Sequence, residues 1–142
     1  MDLKRAIMEL QCEMVAERNS VNPKNISWLQ YDILSQLKKL EKILPSDLSI
    51  ILGISRTKLS KALKGLKYKG YIAQFPNKLD GRELYTTLTD AGNKLLEDIA
   101  KKHTSIFEIA SKSFTKEEQK DFIRLSNILF NELRKKRLEK DE

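Results

Sequence analysis

Apolar residues recur along most of this chain with the period of an α-helix, interrupted by turn residues. Leu3, Ile7, Leu10 and Met14 are spaced four, three and four, one stripe on a 3.6-residue repeat, and predict a helix over residues 2–18. A turn-rich break follows at 19–25 (NSVNPKN). Ser27 and Gln30 then have the spacing of a capping box, in which the serine oxygen accepts from a free helical N–H and the glutamine reaches back. Leu29, Ile33, Leu37 and Leu40 carry that second helix. Pro45 opens a short third helix, Pro45–Leu52, because its missing N–H would go unbonded in a first turn anyway. Leu48, Ile51 and Leu52 face inward, Gly53 closes the helix and Ile54 plugs the turn. Ser55 caps the next helix, with Leu59, Ala62, Leu63 and Leu66 on its buried side, and Gly70 ends it.

The period then changes. Residues 71–75 (YIAQF) and 83–88 (ELYTTL) are short and β-rich, the only strands the pattern supports, and 76–82 between them is a turn holding Asn77 and Gly81. Thr89 caps a long helix to about residue 111, with Ala91, Leu95, Ile99, His103, Ile106 and Ala110 down one side. Thr115 and Glu118 form a second capping box. The final helix reaches about residue 136 with Phe122, Leu125, Leu129 and Leu133 inward, and the tail RKKRLEKDE reads as frayed. Helix, glycine turn, helix, then two strands around a loop make a winged helix-turn-helix. The expected fold is mainly α with a small β-wing: a single domain over 1–142, its winged-helix core over 27–88, flanked by dimerisation helices at 1–20 and 89–138. At 1.5 Å per residue the helix after the wing would run roughly 35 Å, more than the core can cover. Its stripe, with those of the first and last helices, asks for a second copy of the chain in a two-fold dimer.

Composition narrows the class without changing this picture. With 40% hydrophobic and 33% charged residues the chain is a charge-rich folded domain rather than a disordered one. No apolar run approaches the roughly 20 residues of a membrane span, and the N-terminus, with acids among its apolar residues, is no signal peptide. One cysteine, Cys12, allows no internal disulfide, so a reducing, cytoplasmic setting is expected. Charge is more telling. The net charge is +7, and between Arg56 and Arg82 eight Lys or Arg stand against the single acid Asp80. That segment holds the whole excess; the rest is balanced. Such a concentration addresses a polyanion.

The buried face of the fourth helix turns Thr57, Lys58, Ser60, Lys61 and Lys64 outward, with Ser55 and Arg56 at its start. In a helix-turn-helix the second helix enters the major groove by its N-terminal half, where hydroxyls and long cations reach base edges and phosphates. At the wing, Arg82 suits a minor groove, Asp80 suits a charge-assisted hydrogen bond that orders it, and Lys78 suits a phosphate. The bland alternatives are a solvated helix face and an ordinary surface ion pair.

The run LSIILGISRTKLSKALKGLKYKGYI, the D-G-R of the wing (Asp80, Gly81, Arg82) and the following LTDAGNKLL resemble the MarR-type winged-helix regulators, over about three-quarters of the chain. The resemblance implies a homodimer with its recognition helices in successive major grooves of a pseudo-palindromic double-stranded operator. It also implies release by a small-molecule effector or an oxidant, and a repressor as the default role. One departure stands out: the recognition helix has Arg56 as its only arginine, which favours phosphate contact over bidentate guanine readout. Peroxide-sensing members carry a reactive cysteine in the first helix near tyrosines of the second, which makes Cys12, near Tyr31, a candidate redox thiol. Gln11 and Glu13 give it no cation, and the alternative is a small buried hydrophobe. Met14, Trp28 and Tyr31 are candidates for an effector pocket between the first two helices, or simply core. His103 with Asp98 and Glu108 is too poor a set for a metal, so no metal is expected. No cofactor is expected either, since no glycine-rich phosphate loop follows a strand and all five glycines read as turns or helix ends. Cys12 and His103 lack a third orienting group, so catalysis is not expected. A winged-helix module that binds a partner protein without specific DNA binding is the alternative function.

Overall fold

Caps and breakers set most of the architecture. The computed structural model describes residues 1–79 and 81–140 and has the order α1 (Leu3–Asn19), α2 (Trp28–Leu40), β1 (Lys42–Ile43), α3 (Pro45–Leu52), α4 (Arg56–Tyr68), β2 (Ile72–Pro76), β3 (Leu84–Leu88), α5 (Asp90–Lys102), α6 (Ser105–Ser113) and α7 (Lys116–Lys140). Both capping boxes form. The Ser27 hydroxyl accepts from the Gln30 N–H (3.1 Å) while Gln30 Oε1 accepts from the Ser27 N–H (3.0 Å). Thr115 and Glu118 do the same at 3.1 and 2.8 Å. Gly53 and Gly70 take φ of +67° and +82°, the left-handed conformation that lets α3 and α4 stop where they do.

The core lies between α2, α3, α4, α5 and a three-stranded antiparallel sheet of order β1-β3-β2. Ile33, Leu34, Leu37, Leu48, Leu59 and Leu66 are the apolar side chains sealed at its centre. The N-terminus of α5 sits on the end of α4. Thr89 Oγ1 donates to the Gly70 carbonyl (2.7 Å), its N–H donates to the Tyr71 carbonyl (3.2 Å), and its hydroxyl accepts from the Gly92 N–H (3.1 Å).

Several expectations need correction. A third strand exists: Lys42 and Ile43 pair with Thr87 and Thr86 of β3, and Thr87 Oγ1 donates to the Glu41 carbonyl (2.9 Å). The long helix after the wing is two, α5 and α6, because His103 leaves helical geometry (φ −113°, ψ 64°) with its ring edge-on to Trp28 at 5.0 Å. Its buried face is Gly92, Leu96 and Ile99 with Leu95 half-buried, whereas Ala91 is exposed. Gly65 is neither turn nor helix end; it lies inside α4, where the Gln30 side chain of α2 crosses it. Residues 134–140 are helical rather than frayed. Finally, Phe122, Leu125, Leu129 and Leu133 of α7 face away from this chain's core, as do Leu3, Ile7, Leu10 and Met14 of α1.

Candidate nucleic-acid interface

The candidate surface begins with the cap of α4. Ser55 Oγ accepts from the Lys58 N–H (3.1 Å), which starts the helix on the register that buries Leu59, Ala62, Leu63 and Leu66. That register leaves Ser55, Arg56, Thr57, Lys58, Ser60, Lys61 and Lys64 all exposed. All seven have short hydroxyls or long flexible cations, so one face presents donors at several reaches. No carboxylate projects from α4. Lys78 and Arg82 are exposed at the end of the hairpin. The expected Asp80 partner of Arg82 falls outside the described residues.

One residue holds this surface together that the sequence pattern did not single out. Glu83, at the base of the wing, accepts from the Ser46 N–H (3.1 Å) and from the Ser46 hydroxyl (2.9 Å), so its carboxylate closes the first turn of α3. The same carboxylate faces the Arg56 guanidinium at 3.8 Å, and its backbone carbonyl accepts from the Asn77 N–H (3.4 Å). Asn77 in turn accepts from the Leu79 N–H (3.1 Å) and shapes the hairpin loop. Wing, α3 and the start of α4 therefore meet at one acid. Arg56 is mostly exposed while Glu83 is mostly covered, so the carboxylate positions the more mobile arginine. The signal in the sequence was slight: an acid directly after a basic turn.

The candidate effector residues are placed differently from one another. Trp28 and Tyr31 meet edge to face at 5.4 Å and pack against the core. Arg18 lies over Trp28 at 4.8 Å and donates twice to the Asp32 carboxylate, once at 3.0 Å. Trp28 Nε1 donates to the Val21 carbonyl (2.9 Å), which leaves its ring fixed between the end of α1 and the break after α5. Met14 and Cys12 stand exposed on α1; Cys12 borders a shallow concavity with Arg5, Met8 and Glu9. Spatially, then, this thiol does have an arginine nearby, although the Arg5 side chain is engaged with Glu9 at 2.9 Å. Among the described residues no group of three or more His, Cys, Asp or Glu stands where it could share a metal ion, and no helix is long and apolar enough to cross a membrane.

Two short helices joined by a left-handed glycine turn, a cationic second helix and a basic hairpin define a winged helix-turn-helix protein. A profile of the MarR family matches residues 24–83. The transcriptional repressor MprA of Escherichia coli (strain K12) is 30% identical over 100 residues, which cover 68% of this chain and 57% of that protein. The chain thus matches a little over half the length of this curated relative. Apo wild-type MarR from E. coli has the same fold, with a TM-score of 0.74 at 23% identity over 91% of this chain and 96% of that one. A mutant MarR from E. coli complexed with operator DNA gives 0.65 at 21% identity, over 91% and 99%. The winged-helix segment, residues 24–83, belongs to the MarR family.

Proposed function

We propose that this protein is a homodimeric, sequence-specific double-stranded DNA-binding regulator of transcription, acting as a repressor. The exposed face of α4 carries the proposal: hydroxyls and lysines turned out together, no acid among them, on a helix whose other face is locked into the core. Set in a major groove, Ser55, Thr57 and Ser60 have the reach for base edges or near phosphates, and Lys58, Lys61 and Lys64 the reach for the backbone. Arg82 and Lys78 follow along the adjacent minor groove. That MprA is a repressor and that a MarR structure holds operator DNA supports the same reading.

Dimerisation follows from the apolar surface left uncovered. Leu3, Ile7 and Leu10 of α1, Phe107 and Ile109 of α6, and Phe122, Leu125 and Leu129 of α7 are all exposed in the single chain. Exposed apolar side chains in such number, concentrated on α1, α6 and α7, mark an association surface rather than scattered exceptions. A two-fold pairing through them presents two α4 helices to one face of a duplex. Release belongs to the region between α1 and α2, either by a small ligand at Trp28, Tyr31 and Met14 or by oxidation of Cys12.

The test is anisotropy of a labelled duplex from upstream of the coding sequence, titrated over a range of salt. Lys61→Ala should weaken binding and lower the slope of log K against log salt by about two, one phosphate per subunit at roughly 0.9 each. Subunit mass by light scattering should stay that of a dimer. An unchanged slope would remove α4 from the interface; a monomer with weak, sequence-blind binding would favour the protein-interaction module.

A further inference from the structure

The last helix meets the helix-turn-helix with its arginines instead of its leucines. The C-terminal part of α7 packs along α3, and beyond Phe130 its described side chains are exposed except Arg134 and Arg137, which are half-buried. The Arg137 stem crosses the turn itself: its Cδ lies 3.7 Å from where a Cβ would stand on Gly53. Arg137 also borders an open concavity of about 470 Å³ whose rim includes Arg56, Ser46 and Ser49.

These two guanidinium groups are poorly matched by the protein. Among the described residues the buried Nε atoms of both have no hydrogen-bond partner. Arg134 reaches Gln36 Oε1 at a long 3.4 Å and the face of Phe130 at 4.7 Å. Among the described residues neither arginine has a carboxylate partner. Glu83, which meets the rim at Ser46 and Arg56, already accepts from Ser46 and is faced by the Arg56 guanidinium. Burial first, and the Arg137 charge second, push the Arg134 guanidinium below its ordinary value. Two like charges packed side by side repel, and an anion seated in the concavity that Arg137 borders relieves that repulsion.

The position of the concavity says which anion. It opens beside Arg56, the first residue of the helix assigned to the major groove, and its rim is hydroxyl and guanidinium with only Ile50 and Ile54 apolar. We propose that the cleft between α3, the start of α4 and the end of α7 seats a backbone phosphate of the bound duplex, with Arg137 and Arg56 as its donors. This rests on the DNA-binding reading above. It makes α7 a contact helix as well as a pairing helix, so that repacking at the subunit interface alters a phosphate contact directly.

The experiment compares wild type, Arg137→Gln and Arg137→Lys on the upstream duplex and on an unrelated duplex of equal length, with ethylation interference alongside. Arg137→Gln should weaken both duplexes by the same factor, roughly three- to tenfold at moderate salt, and lower the salt slope by about two per dimer. Arg137→Lys should restore the slope. Ethylation of one phosphate per half-site, outside the groove filled by α4, should block the wild type and cease to matter for Arg137→Gln. An unchanged slope, or a lysine variant that behaves as the glutamine variant does, would overturn the proposal, as would a wild-type interference pattern confined to the α4 groove and the wing. A wild type that binds neither duplex would instead overturn the DNA-binding reading beneath it.

Discussion

Gly92→Ala sets a helix-propensity rule against the observed packing. Within a helix, alanine for glycine ordinarily stabilises by about 1 kcal/mol. Here a Cβ at position 92 would stand 2.0 Å from the Tyr71 carbonyl oxygen and 3.0 Å from its carbon, with Leu88 Cδ2 at 3.2 Å. Since Cβ contacts do not fall below 3.0 Å, the first turn of α5 has to retreat by at least 1.0 Å. The obstacle is backbone at the start of β2, so no side chain can swing aside. Such a retreat breaks the Thr89 N–H bond to the Tyr71 carbonyl (3.2 Å) and strains the Thr89 hydroxyl bond to Gly70 (2.7 Å). Overpacking of about 1–3 kcal/mol and one or two lost hydrogen bonds of about 1 kcal/mol each outweigh the propensity gain. The net is a destabilisation of about 1–4 kcal/mol, or roughly 3–15 °C in Tm at fixed protein concentration. Urea titration of both proteins, followed by far-UV circular dichroism, reads it directly. Gly65→Ala is the internal control. Its Cβ would lie 2.8 Å from Gln30 Nε2, on a side-chain amide that can shift, at the expense of the Gln30 bond to the Ala62 carbonyl (3.2 Å) and of the Ser27 N–H bond to Gln30 Oε1 (3.0 Å). One or two bonds lost at about 1 kcal/mol each, against a propensity gain of about 1 kcal/mol, leave a destabilisation of no more than about 1 kcal/mol. A Gly92→Ala protein as stable as wild type, or more so, would refute the packing described for the α5 N-terminus.

Glu83→Ala removes two hydrogen bonds from the first turn of α3 and should cost about 1–2 kcal/mol in urea unfolding. It should also weaken DNA binding, because the wing and Arg56 lose their common anchor; an unchanged affinity would show that Glu83 does not position the surface. Leu129→Arg places a charge in the exposed stripe of α7, leaves this chain's own core untouched, and should give a monomer by sedimentation velocity. A folded Leu129→Arg dimer would move the association surface off α7.

The parts of the fold legible in the sequence were those dictated by local chemistry. Ser27 with Gln30, Pro45, Gly53, Ser55, Gly70 and Thr115 with Glu118 each fix a boundary through their own hydrogen bonds or backbone freedom. Hence α2, α3, α4 and the start of α7 fell where the pattern put them, and the exposed face of α4 followed from its buried one. What escaped was decided by distant partners. β1 is two residues long and exists only because β3 offers Thr86 and Thr87 to pair with. The break at His103 has no proline or glycine to announce it and coincides with the Trp28 contact, across the fold. Leu34 is sealed in the core beside the expected Ile33 because sheet and helices cover α2 on two sides. Glu83 and Arg137 gained their roles only when wing, α3 and α7 were brought together.

The most direct measurement is a hydroxyl-radical footprint of the purified protein on the DNA upstream of its coding sequence. Two copies of α4 entering successive major grooves predict two protected patches centred about one helical turn apart, roughly 34–36 Å, each flanked by minor-groove protection from the wing and both lost together as salt rises. A single patch, or protection without a fixed position at concentrations where the protein is a dimer, would contradict the account.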